Sequence, residues 1–169
     1  LPANRQGILD ALADDRLIRR DDAGGWDVTN LGAILFAKRL DAFHPLGRKA
    51  VRVVQYRGTG RTDTLKERVG GKGYANGFEG LIGYINGLLP ANEVIEQALR
   101  KSLPMYPELA VRELVANALI HQDFTIGGTG PMVEIFPDRI EISNPGTPLI
   151  DTLRFIDEPP QSRNEALAA

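Results

Sequence analysis

Apolar positions Ile8, Leu9, Ala11 and Leu12 recur at helical spacing over 4–15, and Leu17-Ile18 then lead through Asp21-Asp22-Ala23-Gly24-Gly25 to Trp26 and Val28. The pattern predicts a helix followed by a hairpin with a glycine tip. Thr29 or Asn30 can cap a second helix over 31–40, because a short side-chain oxygen there accepts from an unpaired amide of the first turn. Residues 49–57 alternate around Val51, Val53, Val54 and Tyr56, as a strand does. The stretch 58–80 is Gly-rich without a period and reads as a mobile basic loop. Helical spacing returns over 81–89, Pro90 stops it, and Asn92 can cap a further helix to about residue 103. Pro107-Glu108 opens a helix to about residue 122, since proline and an acid both suit a first turn. After a loop at 125–130, the alternations 132–136 and 139–143 flank Pro137-Asp138 and predict a β-hairpin closed by Asn144-Pro145-Gly146.

These elements give an α+β class. The Pro90 to Asn92 stretch is the candidate boundary, dividing the chain into 1–90, a connector with a helix and hairpin of winged-helix type, and 91–169. A chain of 169 residues buries roughly 70% of its unfolded surface, enough for a real core. It begins at Leu1 rather than Met and ends in Glu165-Ala-Leu-Ala-Ala169, which reads as opening helical turns without a stop signal, as expected of a segment of a longer protein.

Composition narrows the chemistry. There is no cysteine, so a disulfide framework, a thiolate metal site and a thiol nucleophile are all excluded. No apolar run approaches the ~20 residues of a membrane-spanning helix, no signal-peptide core opens the chain, and a cytoplasmic location is expected. The formal charge of -2 confines any nucleic-acid contact to a local patch. Two patches qualify. Arg19 and Arg20 lie by the first hairpin, where a wing would touch phosphate, although no reader helix precedes it. Arg57, Arg61, Lys66, Arg68 and Lys72, with Tyr74 and Phe78 near them, could follow a backbone, although most basic runs are solvated faces. Neither G-x-x-x-x-G-K-[ST] nor G-x-G-x-x-G occurs, so a translocating helicase motor is not expected.

On the predicted helix 110–122, Val111, Leu114, Val115, Ala118 and Leu119 supply an apolar face, while Glu113, Asn117 and His121 recur every fourth residue. Four residues advance by about 400°, so these three polar groups form a drifting stripe. A carboxylate and an amide oxygen there suit a hydrated Mg²⁺, which keeps several waters and few protein ligands. The spacing equally suits a solvated stripe ending in a His that caps the helix.

The ordered series Tyr106-Pro107-Glu108-x-Ala110-x-Arg112-Glu113-x-x-x-Asn117-Ala118-x-x-His121-x-Asp123-Phe124, then Asp138-Arg139-Ile140-Glu141-Ile142-x-Asn144-Pro145-Gly146, resembles the signature of the RecG-related C-terminal ATPase-like family. That family is similar to the GHKL ATPases of gyrase, Hsp90 and histidine kinases. Val28 to Ala37 and 51–80 likewise look like the connector that such transcriptional regulators carry after an AlbA-type, Schlafen-like DNA-binding domain. The resemblance implies a partial GHKL-like (Bergerat) α/β sandwich that binds ATP and Mg²⁺. Glu113 would be the catalytic base, Asn117 the metal ligand, and His121 a neighbour of the phosphates; Asn144 and Gly146 would lie at the nucleotide. It also implies DNA as partner of the whole protein and, by analogy alone, a homodimer.

The sequence departs from the GHKL pattern at the adenine anchor. Where that pattern has Asp-x-Gly-x-Gly, this chain reads Asn144-Pro145-Gly146-Thr147-Pro148, and an amide offers donors as well as an acceptor and no charge. Ser162-Arg163-Asn164 matches the family's Arg-Asn stretch, while the later Gly-rich phosphate loop would fall after Ala169. Three readings therefore stay open: a nucleotide-controlled regulatory region with weak ATPase activity, a retired ATPase kept as a docking or dimerisation scaffold, and a nucleic-acid-binding module.

Overall fold

A computed structural model describes residues 4–96, 99–154, 156–159 and 161–168. It is α+β, with helices and mixed sheets, and its chain divides into two compact units. One unit holds the residues up to Ala50 with Gly71–Phe78; the other holds Val51–Gly70 and everything from Glu79 onward. The expected boundary near 90 falls inside the second unit.

In the first unit, α1 (Arg5–Asp14) is capped by the Asn4 side chain, which accepts from Gly7 N at 2.6 Å. The hairpin β1 (Ile18–Arg20) and β2 (Trp26–Val28) follows, its tip tied by Asp21 Oδ1, which accepts from the amides of Ala23 and Gly25. Thr29 then caps α2 (Asn30–Phe36), accepting from Gly32 N at 3.0 Å. Ala33, Ile34, Leu40, Leu46 and Tyr74 form the buried interior, and the Tyr74 hydroxyl donates to Lys49 O at 2.7 Å.

The second unit is built on a four-stranded sheet of order β4-β3-β7-β8. Strand β3 (Arg52–Tyr56) pairs antiparallel with β4 (Thr64–Val69) and parallel with β7 (Met132–Ile135); β7 pairs antiparallel with β8 (Ile140–Ser143). Val53, Gln55, Val133, Ile135, Ile140 and Ile142 share one face. On that face Gln55 donates to Leu88 O at 3.1 Å and Arg68 stacks on Tyr84, attaching α3 (Tyr74–Asn86) through residues 79–89. Helix α4 (Glu108–Ile120) packs against β8 and buries Val111, Val115, Ala118 and Leu119.

The other face carries a polar network. Tyr56 and Phe136 stack with centroids 4.8 Å apart, and Arg139 lies over the Phe136 ring at 3.8 Å. Glu134, only 2% exposed, accepts from Tyr56 Oη at 3.0 Å and from Arg61 Nε at 2.6 Å, while Arg61 also reaches Glu141 at 2.6 Å. The Arg61 contact holds the Glu134 carboxyl below its ordinary range against the opposing effect of desolvation, with Tyr56 assisting.

Two predicted elements are corrected. The loop expected over 58–80 contains β4 and the start of α3. Strand β4 is an edge strand exposed along its whole length, so it carries no alternation of buried and exposed residues to betray it. The helix expected over 92–103 is replaced by an antiparallel hairpin, β5 (Ala91–Glu96) with β6 (Leu99–Pro104). Val94 and Ile95 favour extended backbone, and the pairing across the sheet supplies hydrogen bonds that a short helix would find only along its own length.

Candidate functional site

Helix α4 presents the predicted stripe. Pro107 stands just before its first turn, Glu108 follows, and His121 is the C-cap residue, its backbone N–H donating to Asn117 O at 2.9 Å. Asn117 Nδ2 donates to Glu113 Oε1 at 3.3 Å, so the two side chains sit together, Glu113 exposed and Asn117 half-buried. This contact engages the amide nitrogen and leaves the Asn117 oxygen for a cation. A carboxylate with one amide oxygen fits hard, largely hydrated Mg²⁺ by donor type. No cluster of three or more His, Cys, Asp or Glu suited to a metal occurs among the described residues.

Beyond the helix, a pocket of about 450 Å³ is lined by His121, Asn144, Gly146, Thr147 and the segment that carries Glu158, Gln161 and Arg163, with Leu149 and Ile150 as apolar wall. The structure thus brings together His121, Asn144 and Gly146 of the predicted site. Glu113 and Asn117 stand outside that lining. The volume lies at the lower end of the range for small-molecule pockets.

The pocket is held by contacts between distant residues. Asp123 N donates to Pro145 O at 2.7 Å, and the Asp123 carboxylate accepts from Thr125 N and Oγ1 and from Arg163 at 3.3 Å. Arg163 donates through its other terminal nitrogen to Thr147 O at 2.7 Å. Asn164 Nδ2 donates to Ile120 O at 2.6 Å and to Gln122 O at 2.7 Å, satisfying carbonyls left over at the end of α4. Gly146 has φ +117, and a Cβ there would lie 3.0 Å from Asp123 Cβ. Sequence reasoning flagged Asp123, Arg163 and Asn164 only as parts of a family match, and it missed Glu158 and Gln161 in the pocket lining. The available signals were Asp123-Phe124 at the end of the first motif and the run Ser162-Arg163-Asn164.

The basic candidates are placed otherwise. Arg19 pairs with Asp27 at 3.5 Å, Arg20 stacks on Trp26, Arg57 pairs with Asp63 at 3.2 Å, Arg61 joins Glu134 and Glu141, and Arg68 covers Tyr84. Lys66 and Lys72 are exposed. Each of these arginines thus has an acidic or aromatic neighbour within the protein.

A family model described as "Putative ATP-dependent DNA helicase recG C-terminal" matches residues 128–169, which include the β7–β8 hairpin and most of the pocket lining. This segment is RecG C-terminal-like. The RecG-type match agrees with the resemblance drawn from the sequence and covers the part of it that follows α4. No curated protein matches the chain. The crystal structure of the DIP2311 protein from Corynebacterium diphtheriae superimposes with a TM-score of 0.67 and 24% identity over 94% of this chain, which establishes likeness of fold. The chain spans 31% of the length of that protein. No helix among the described residues is long and apolar enough to cross a membrane.

Proposed function

We propose that the chain is the nucleotide-binding regulatory region of a larger RecG-related transcriptional regulator, in which ATP and Mg²⁺ bound beside α4 modulate DNA binding by a separate domain. The observation that carries this reading is the pocket lined by His121, Asn144, Gly146 and Arg163, all but His121 of them in the RecG-like segment, with Glu113 and Asn117 on the helix that ends at His121. Asn117 and Glu113 would hold the cation, which when bound would neutralise phosphate charge. Glu113, exposed at the helix surface, would accept a proton from water, a role that typically contributes ~10²–10⁴-fold. Asn144 and Gly146 would border the nucleotide, with His121 at the mouth of the helix.

Thermal unfolding with and without Mg-ATP tests the reading. At a ligand excess of ~100 Kd, binding adds roughly 2.7 kcal/mol, which for a chain of this size raises the midpoint by about 5–11 °C. Asn117→Ala should abolish most of that rise. An unchanged midpoint in the parent chain would sink the proposal.

A second reading draws on Asn144 at the anchor position and on Glu113 and Asn117 not being among the residues that line the pocket: a retired ATPase acting as a docking or dimerisation scaffold. ATP turnover that disappears in Glu113→Ala would exclude it. Direct nucleic-acid binding through Arg19, Arg20 and the 57–72 region draws less support, since most of those guanidiniums have partners inside the protein.

A further inference from the structure

Helix α4 ends without a glycine. His121 is its C-cap residue and Gln122 follows, with left-handed backbone at neither position. The N–H of Asp123, which in a Schellman close would turn back onto the last helical turn, goes instead to Pro145 O at 2.7 Å. Side-chain amides meet the carbonyls left over at this end. Gln122 Nε2 donates to Leu119 O at 3.0 Å, and Asn164 Nδ2 donates both to Ile120 O at 2.6 Å and to Gln122 O at 2.7 Å.

The two carbonyls that Asn164 holds stand on either side of His121 in the chain. An amide bonded to both fixes the peptide units that flank His121, and with them the direction in which its side chain leaves the backbone. His121 is exposed, so packing alone does not set its ring. Asn164 is itself anchored by its neighbour, since Arg163 donates to the Asp123 carboxylate at 3.3 Å and to Thr147 O at 2.7 Å. His121 lines the pocket together with Arg163, whereas the amide that clasps it comes from 44 residues beyond Ile120.

We infer that Asn164 is the positioning residue of His121: its amide holds the end of α4 so that the imidazole faces the pocket, and ligand contact at His121 depends on that hold. The inference rests on the nucleotide reading above, from which it takes His121 as a group that meets the ligand.

Nuclear magnetic resonance of the 169-residue chain tests the hold, because there are two histidines and His44, in the other compact unit, serves as internal reference. Asn164→Ala removes the amide; Asn164→Asp keeps its shape and removes both donors. In each variant the backbone order parameter of His121 should fall from about 0.85 to below about 0.6, with His44 unchanged. Titration with Mg-ATP tests the consequence. Asn164→Ala and His121→Ala should each weaken binding by about fivefold, the contribution of one hydrogen bond, and the double variant should bind no more weakly than the weaker single one, because both changes remove the same contact. A lower thermal midpoint in Asn164→Ala, with order at His121 and Mg-ATP affinity both as in the parent, would show a cap that is structural only and overturn the inference. Losses that multiply to about 25-fold in the double variant would also overturn it, since Asn164 would then act independently of His121. If the folded parent binds no Mg-ATP, the nucleotide reading falls, and the order of His121 in the two Asn164 variants still decides the positioning.

Discussion

Replacing Gly146 by alanine tests how the pocket is built. At φ +117 an L side chain is strained, and residues held in such regions cost of order 1–3 kcal/mol. The added Cβ would also lie 3.0 Å from Asp123 Cβ and 3.4 Å from Asp123 N. Asp123 cannot easily retreat: its amide is bonded to Pro145 O at 2.7 Å, and its carboxylate is held by Thr125 and Arg163. Strain and crowding together should cost about 3 kcal/mol. For a chain of this size that lowers the thermal midpoint by about 6–12 °C. Gly80→Ala is the control, because Gly80 lies in the interior of α3, where an added methyl would meet no heavy atom within 4 Å. There alanine should stabilise by about 0.5–1 kcal/mol through helix propensity and a less flexible unfolded chain. Both variants are followed by differential scanning calorimetry. A Gly146→Ala midpoint equal to or above that of the parent would refute the account of this turn.

Two further substitutions probe the long-range contacts. Glu134→Gln keeps the Tyr56 hydrogen bond but removes the charge that Arg61 meets, and should cost about 1–2 kcal/mol at pH 7, discounted because Arg61 is largely exposed. Since the folded carboxyl titrates below its unfolded value, this stability is complete above the unfolded value and is lost as pH falls through the folded one; urea midpoints of parent and variant should converge in acid, and a gap that persists at low pH would contradict the assignment. Asn164→Ala removes two hydrogen bonds from the end of α4 and should speed amide exchange of His121 by about five- to thirtyfold, the equivalent of ~1–2 kcal/mol of local stability; unchanged exchange would deny Asn164 that capping role.

What the sequence by itself determined is local. The Thr29 cap, the hairpin around Gly24, the course of α4 and the β7–β8 hairpin were legible, because each rests on a cap, a turn or a period contained within a few consecutive residues. The ordered RecG-like motif was legible for the same reason, being a string of neighbouring positions. Only the tertiary structure decided that β3 runs parallel to β7, that Arg61 serves Glu134 across 73 residues, and that Arg163 reaches back 40 residues to Asp123. It also decided that β4 is a strand, since an exposed edge is specified by its neighbour's free backbone groups and leaves no hydrophobic alternation of its own. The candidate site divides along the same line. Helical spacing placed Glu113, Asn117 and His121 on one stripe, but which of them borders a cavity depends on where the Asn144 turn and the Arg163 segment return to α4. Periodicity records which face of an element is apolar; it does not record which distant segment comes to meet that face.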